Sequence, residues 1–166
     1  WVDWLDTALG PMIAVADDTS LHLLEFADRR ALGGELRRLR TRMGELSIGR
    51  TRVIDGLEAE LEAFFAGRDA NFETPVAWHG TELQRAVWAA LLEIPVGETR
   101  SYRQIAEQIG RPTAFRAVAR ANGANTLAIV VPCHRVVGSD GSLTGYGGGI
   151  WRKKKLIAIE RSLAQS

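Results

Sequence analysis

The period of hydrophobic and polar positions changes along the chain. Near the start, compact apolar runs lie between turn signals. Met12–Ala16 and Leu21–Phe26 are two such runs, Asp17-Asp18-Thr19-Ser20 is the polar cluster between them, and Thr7-Ala8-Leu9-Gly10-Pro11 reads as a turn after an earlier short strand. The pattern then becomes helical. Residues 31–43, rich in Leu and Arg, predict an exposed amphipathic helix. Over residues 51–65 the apolar positions Val53, Ile54, Leu57, Leu61, Phe64 and Phe65 recur at helical spacing, and Gly67 stops the run. Residues 71–78, with Pro75 among them, read as an extended connector.

From Gly80 onward the pattern predicts short helices. Thr81 and Gln84 have capping-box spacing ahead of the apolar stripe Leu83, Val87, Leu91, and Pro95 ends that helix. Ser101 and Gln104 repeat the cap and open a helix over residues 102–109, closed by Gly110. Arg111-Pro112-Thr113 leads into another helix from about Ala114 to Asn122, which carries Arg116 and Arg120 one turn apart among Ala114, Ala117, Ala119 and Ala121. Two short helices joined by a glycine-bearing turn suit a helix-turn-helix, and equally an ordinary packed hairpin. The apolar run 127–131 predicts a buried strand, 138–141 a turn, 145–149 a glycine loop, and 151–163 a closing helix that begins with the basic run 152–155.

The expected fold class is α+β. An N-terminal α/β domain with a small, mainly antiparallel sheet occupies residues 1–75, with a linker to about 79. A mostly helical C-terminal domain occupies 80–166. Charge divides the same way: residues 1–75 carry a net −5 and residues 76–166 a net +6, although the whole chain is +1. A basic half beside an acidic one is the distribution expected where only the former meets a polyanion. The apolar runs are too short to span a bilayer, and no basic stretch followed by an apolar core opens the chain, so neither membrane insertion nor secretion is expected. A single cysteine excludes an internal disulfide and suits a reducing, cytoplasmic setting. With three histidines in the chain, a four-ligand zinc site is not expected, nor is any other metal or cofactor.

The cysteine is the natural candidate for chemistry. Cys133 follows an apolar run and a proline and precedes His134, so its thiol is expected where the core meets a loop, beside a base. A thiol reacts as thiolate, which a neighbouring base or positive charge must favour. Glu160 on the last helix is a candidate to orient the imidazole. A Cys-His pair of this kind also suits a thiol hydrolase.

The segment Pro132-Cys133-His134-Arg135-Val136 resembles the active-site signature of the O6-alkylguanine-DNA alkyltransferases, the methylated-DNA–protein-cysteine methyltransferases. The similarity continues through Gly80-Thr81, Val87-Trp88, residues 94–99, Ser101-Tyr102, residues 116–119, residues 122–125, residues 141–146, Arg152-Lys153 and Glu160, in order, over roughly half the chain. The N-terminal part resembles that family's ribonuclease-H-like domain in outline, and the helix pair its helix-turn-helix.

The resemblance implies DNA repair by direct reversal. The O6-alkyl group of guanine would pass irreversibly to Cys133, in a single turnover, after the base flips out of double-stranded DNA. It implies that His134 takes the thiol proton through a water, that Glu160 holds His134, and that Tyr102 donates to the departing guanine. Asn125, Val136, Tyr146, Gly147 and Gly148 would shape the base pocket. Arg116 would fill the gap in the base stack, and Ala114, Phe115, Arg103, Arg111 and Ser139 would contact DNA. The protein would act as a monomer. Gly147 stands where relatives often have serine, and Phe115 where some have alanine. Two other readings remain: a lesion-binding relative without transfer activity, which carries another residue at the cysteine position, and a helix-turn-helix regulator.

Overall fold

The structure is a computed structural model that describes residues 1–165. The described chain divides into two compact units, Trp1–Trp78 and the residues from His79 onward.

In the first unit, β1 (Val2–Leu5), β2 (Met12–Ala16) and β3 (Leu21–Phe26) form an antiparallel sheet in that order. Every residue of β3 is buried, His22 and Glu25 included, so its mostly apolar sequence shows no inside–outside alternation. Helix α1 (Leu32–Met43) sets Leu39 into a cluster with Val15 and Leu23, and Leu32, Leu36 and Met43 pack around it. Helix α2 (Arg52–Phe65) is capped by the Thr51 hydroxyl, which accepts from the Ile54 N–H, and it buries Val53, Ile54, Leu57, Leu61 and Phe64. The connector after it bonds to the far edge of β3: Leu21 donates to the Pro75 carbonyl and Ala77 to the Leu21 carbonyl.

In the second unit, α3 (Glu82–Leu92) and α4 (Tyr102–Gln108) both begin with the expected capping boxes. Gln84 N–H donates to the Thr81 hydroxyl at 3.1 Å and Thr81 N–H to the Gln84 side chain at 2.9 Å; the same exchange joins Ser101 and Gln104. Helix α5 (Phe115–Gly123) packs on α3 and α4, fastened by the Trp88 indole N–H donating to the Ala121 carbonyl at 2.9 Å. A two-residue β4 (Arg100–Ser101) pairs in parallel with β5 (Val136–Val137), and α6 (Ile150–Ala164) closes the unit.

The run 127–131 is not a strand. It is a tight turn in which Val130 N–H donates to the Ala128 carbonyl and Val131 N–H to the Leu127 carbonyl. Asn125 closes it from both ends: its Oδ1 accepts from Leu127 N–H at 3.0 Å, and its Nδ2 donates to the Val131 carbonyl at 2.9 Å. Ile129 sits at φ 71° inside the turn. That conformation costs a β-branched residue on the order of 1–2 kcal/mol, which the burial of its side chain offsets.

Candidate active site

Cys133 lies immediately beyond this turn, at the start of a single 3-10 turn, Cys133–Arg135. The expectation that 127–131 delivers the thiol from the end of a strand is therefore corrected: a side-chain-braced turn delivers it. The residue is buried but not sealed, at 6% exposure. Its carbonyl accepts from the Asn122 side chain of α5 at 3.3 Å, which ties the segment to that helix.

His134 is fully buried. Its Nε2 lies 2.8 Å from Oε1 of Glu160, which α6 brings in from 26 residues along the chain. The carboxylate can only accept, so Nε2 carries a proton, and in the neutral ring Nδ1 presents the lone pair. Nδ1 is buried and makes no hydrogen bond among the described residues. A neutral imidazole with a free basic nitrogen is the form a general base requires.

Glu160 stays ionised in spite of its burial. Burial alone pushes its carboxyl up. The His134 hydrogen bond, the charge that ring carries when protonated, and the hydrogen bonds and charge of Arg135 outweigh it and bring the value down to about 2. Arg135 makes the larger number of contacts: its Nε lies 3.0 and 3.1 Å from the two carboxylate oxygens, and a terminal nitrogen donates to Oε2 at 2.5 Å. The other terminal nitrogen donates to the Ile94 carbonyl at 2.6 Å. Arg135 was legible only as part of the signature around Cys133. Nothing in the spacing pairs it with a residue 25 positions later.

Tyr102, the first residue of α4, donates its hydroxyl to the Thr144 carbonyl at 3.0 Å. Burial, together with the charge of an ionised Cys133, holds its phenol above the ordinary value against the opposing effect of the Thr144 bond, so it remains a proton donor. Thr144 begins the loop that leads to α6. Arg152 fastens the end of that loop by donating to the Gly148 carbonyl at 3.1 Å.

Comparison with known proteins identifies the family. The family model for the DNA-binding domain of 6-O-methylguanine DNA methyltransferase matches residues 82–162. The methylated-DNA–protein-cysteine methyltransferase of Methanosarcina barkeri is 38% identical over 162 residues, 98% of each chain. The chain belongs to the methylated-DNA–protein-cysteine methyltransferase family. A relative from Mycolicibacterium paratuberculosis is 57% identical over 110 residues, which is 66% of this chain and 67% of that one. The crystal structure of Mycobacterium tuberculosis OGT in complex with DNA matches with a TM-score of 0.86 at 41% identity, covering 98% of this chain and 93% of that chain.

The remaining candidate residues of this methyltransferase fall in separate places. Asn125 commits both ends of its amide to the turn before Cys133. Val136 is fully buried in β5. Tyr146 is half-buried, Gly147 exposed and Gly148 buried, all in the loop before α6. Arg116 projects from α5 and is exposed, as are Arg103, Arg111 and Ser139. Ala114 and Phe115 are half-buried at the start of α5, where the Arg103 guanidinium of α4 lies 5.0 Å over the Phe115 ring.

Proposed function

We propose that this protein repairs DNA by direct reversal, with Cys133 taking the O6-alkyl group of guanine from duplex DNA irreversibly. The observation that carries the reading is the buried His134–Glu160 pair beside the cysteine, arranged so that the basic nitrogen of the imidazole is left for a proton. His134 takes the thiol proton, directly or through one water. The thiolate electron pair then forms an S–C bond to the alkyl carbon, and the C–O6 bond breaks. Its electron pair goes to the guanine, which Tyr102 neutralises by turning its O–H from Thr144 to the base. Electrons and protons balance with no further reactant. The thioether has no good leaving group, so each molecule acts once.

The reacting carbon lies inside stacked DNA, so the nucleotide must leave the helix. We assign α4 and α5 as a helix-turn-helix. Arg116 enters the stack, the small and aromatic residues Ala114 and Phe115 approach the groove, and Arg103, Arg111 and Ser139 contact phosphates. The flipped base is received by the walls at Val136, Tyr146, Gly147 and Gly148, with Asn125 holding the turn that presents the thiol. Residues 80–166 form the DNA-binding and acceptor domain, and residues 1–75 a ribonuclease-H-like N-terminal domain. The protein works as a monomer in the cytoplasm.

The test is a titration of the protein with a molar excess of O6-methylguanine duplex. Transfer that stops at one methyl per protein supports the reading. Continued turnover, or tight binding with the lesion left intact, overturns it.

A further inference from the structure

In the sequence, Arg152-Lys153-Lys154-Lys155 reads as a surface charge run. Helix α6 splits it. Arg152 and Lys153 turn inward, and the Lys153 ammonium donates to the Thr144 carbonyl at 2.9 Å, the acceptor that the Tyr102 hydroxyl also uses. Lys154 and Lys155 stay exposed, as does Arg161 further along the helix. Neither Lys154 nor Arg161 makes a side-chain hydrogen bond or an ion pair among the described residues.

Lys154 and Arg161 stand two helical turns apart, with Ile157 and Ala158 between them at the spacing that puts all four on one face of α6. Val137 of β5 and Leu143 of the segment after it line the same hollow, an open cavity of about 360 Å³. Small-molecule sites run from about 300 to 1,000 Å³, mostly apolar with a few polar groups that fix orientation. This one has that composition. Val137 and Ile157 are buried, Leu143 is half-buried, and the two cations stand on the rim. The apolar surface favours a body that gains by leaving water, and the unpaired cations favour an anion. A DNA phosphate would answer the charge and leave the apolar surface uncovered. A neutral hydrocarbon would do the reverse.

We propose that the groove between β5 and α6 binds a small organic carboxylate with an apolar body of one or two rings, the rings lying on Val137, Leu143 and Ile157 and the carboxylate at the cationic rim of Lys154 and Arg161. None of these six residues is assigned to the alkyl transfer, so the site stands or falls apart from that reading.

The experiment is an NMR titration of the isotope-labelled full chain with naphthoate, with its neutral analogue naphthalenemethanol and with inorganic phosphate. Naphthoate is expected to give saturable shifts at the amides of Val137, Leu143, Ile157 and Ala158, with a dissociation constant of about 1 mM or below, and the alcohol and phosphate to bind about tenfold more weakly. Lys154→Gln with Arg161→Gln is expected to weaken naphthoate about tenfold, and Ala158→Trp, which fills the groove, to abolish its binding. All three positions are exposed, so the fold tolerates these changes; if Ala158→Trp does not fold, the charge variant decides alone. No saturation by about 10 mM, or shifts confined to other residues, overturns the proposal. Equal affinity for the alcohol would mark an unspecific apolar patch, and equal affinity for phosphate a simple anion contact; either overturns it too, as does undiminished binding by the folded charge variant.

Discussion

Arg135 grips both carboxylate oxygens of Glu160, sharing Oε1 with His134, with its shortest contact at 2.5 Å. The carboxylate that orients the imidazole is therefore itself oriented, by the residue next to the histidine in the chain. Removing the guanidinium leaves a buried carboxylate with half its partners. Arg135→Met is expected to destabilise the protein by about 3–5 kcal/mol, and Arg135→Met with Glu160→Gln to recover part of that, because the second change removes the stranded charge. Denaturant unfolding of the wild type and the variants checks both.

The same carboxylate sets an acid limit. Its folded value of about 2 lies below the ordinary 4.5. The stabilisation is therefore present above 4.5 and is lost as pH falls through about 2, where the folded state must also take up the proton. Wild type should lose melting temperature steadily across that interval, and Glu160→Gln should show a shallower slope there.

Glu25 produces the opposite slope. It lies on β3 with Glu35 of α1, both buried, and Arg29 lies 2.5 Å from the first and 3.6 Å from the second. Burial, then the hydrogen bond and charge of Glu35, push the Glu25 carboxyl well above its ordinary 4.5, and Arg29 only partly opposes them. Here stability is fully present below 4.5 and declines as pH rises above it, because the unfolded chain releases the proton first. Glu25→Gln is expected to flatten the fall in melting temperature between mildly acidic and alkaline pH. An unchanged slope would show that the pair holds no extra proton.

How legible these features were depends on where their partners lie. The caps of α3 and α4 could be read because donor and acceptor stand three residues apart: Thr81 with Gln84, and Ser101 with Gln104. Helix α2 could be read because its buried positions repeat at the helical period. The run 127–131 misled because a short apolar stretch has no period to separate strand from turn. What decides is the Asn125 side chain bonding the backbone at 127 and 131. Lys153 was hidden in a basic run, since α6 turns 152 and 153 inward with Leu156, Ile157 and Glu160. The candidate partners Cys133, His134 and Glu160 were named from the chain. The Arg135 grip and the Thr144 carbonyl shared by Tyr102 and Lys153 were not, because no local pattern encodes contacts between distant segments.

Asn125 gives a further prediction. Asn125→Ala removes one buried bond at each end of the turn and leaves the Leu127 N–H and the Val131 carbonyl without them. The expected cost is about 2–4 kcal/mol, together with slower alkylation of Cys133 by iodoacetamide as the turn loses its closure. A folded Asn125→Ala with unaltered thiol reactivity would show that the turn holds without its brace.

Tyr102→Phe separates proton donation from binding. The ring remains and the hydroxyl goes, so affinity for undamaged duplex should be unchanged. Single-turnover methyl transfer should slow on the order of 100-fold. Equal rates for the two proteins would remove Tyr102 from the chemistry.

The central claim is that Cys133 keeps the alkyl group. Intact-mass measurement after mixing with O6-methylguanine DNA, followed by peptide mapping, reads this directly. The expected result is the mass of one methyl group, located on the peptide that contains Cys133 and absent from Cys133→Ala. An unmodified protein mass alongside repaired DNA, or a methyl group on any other residue, would contradict it.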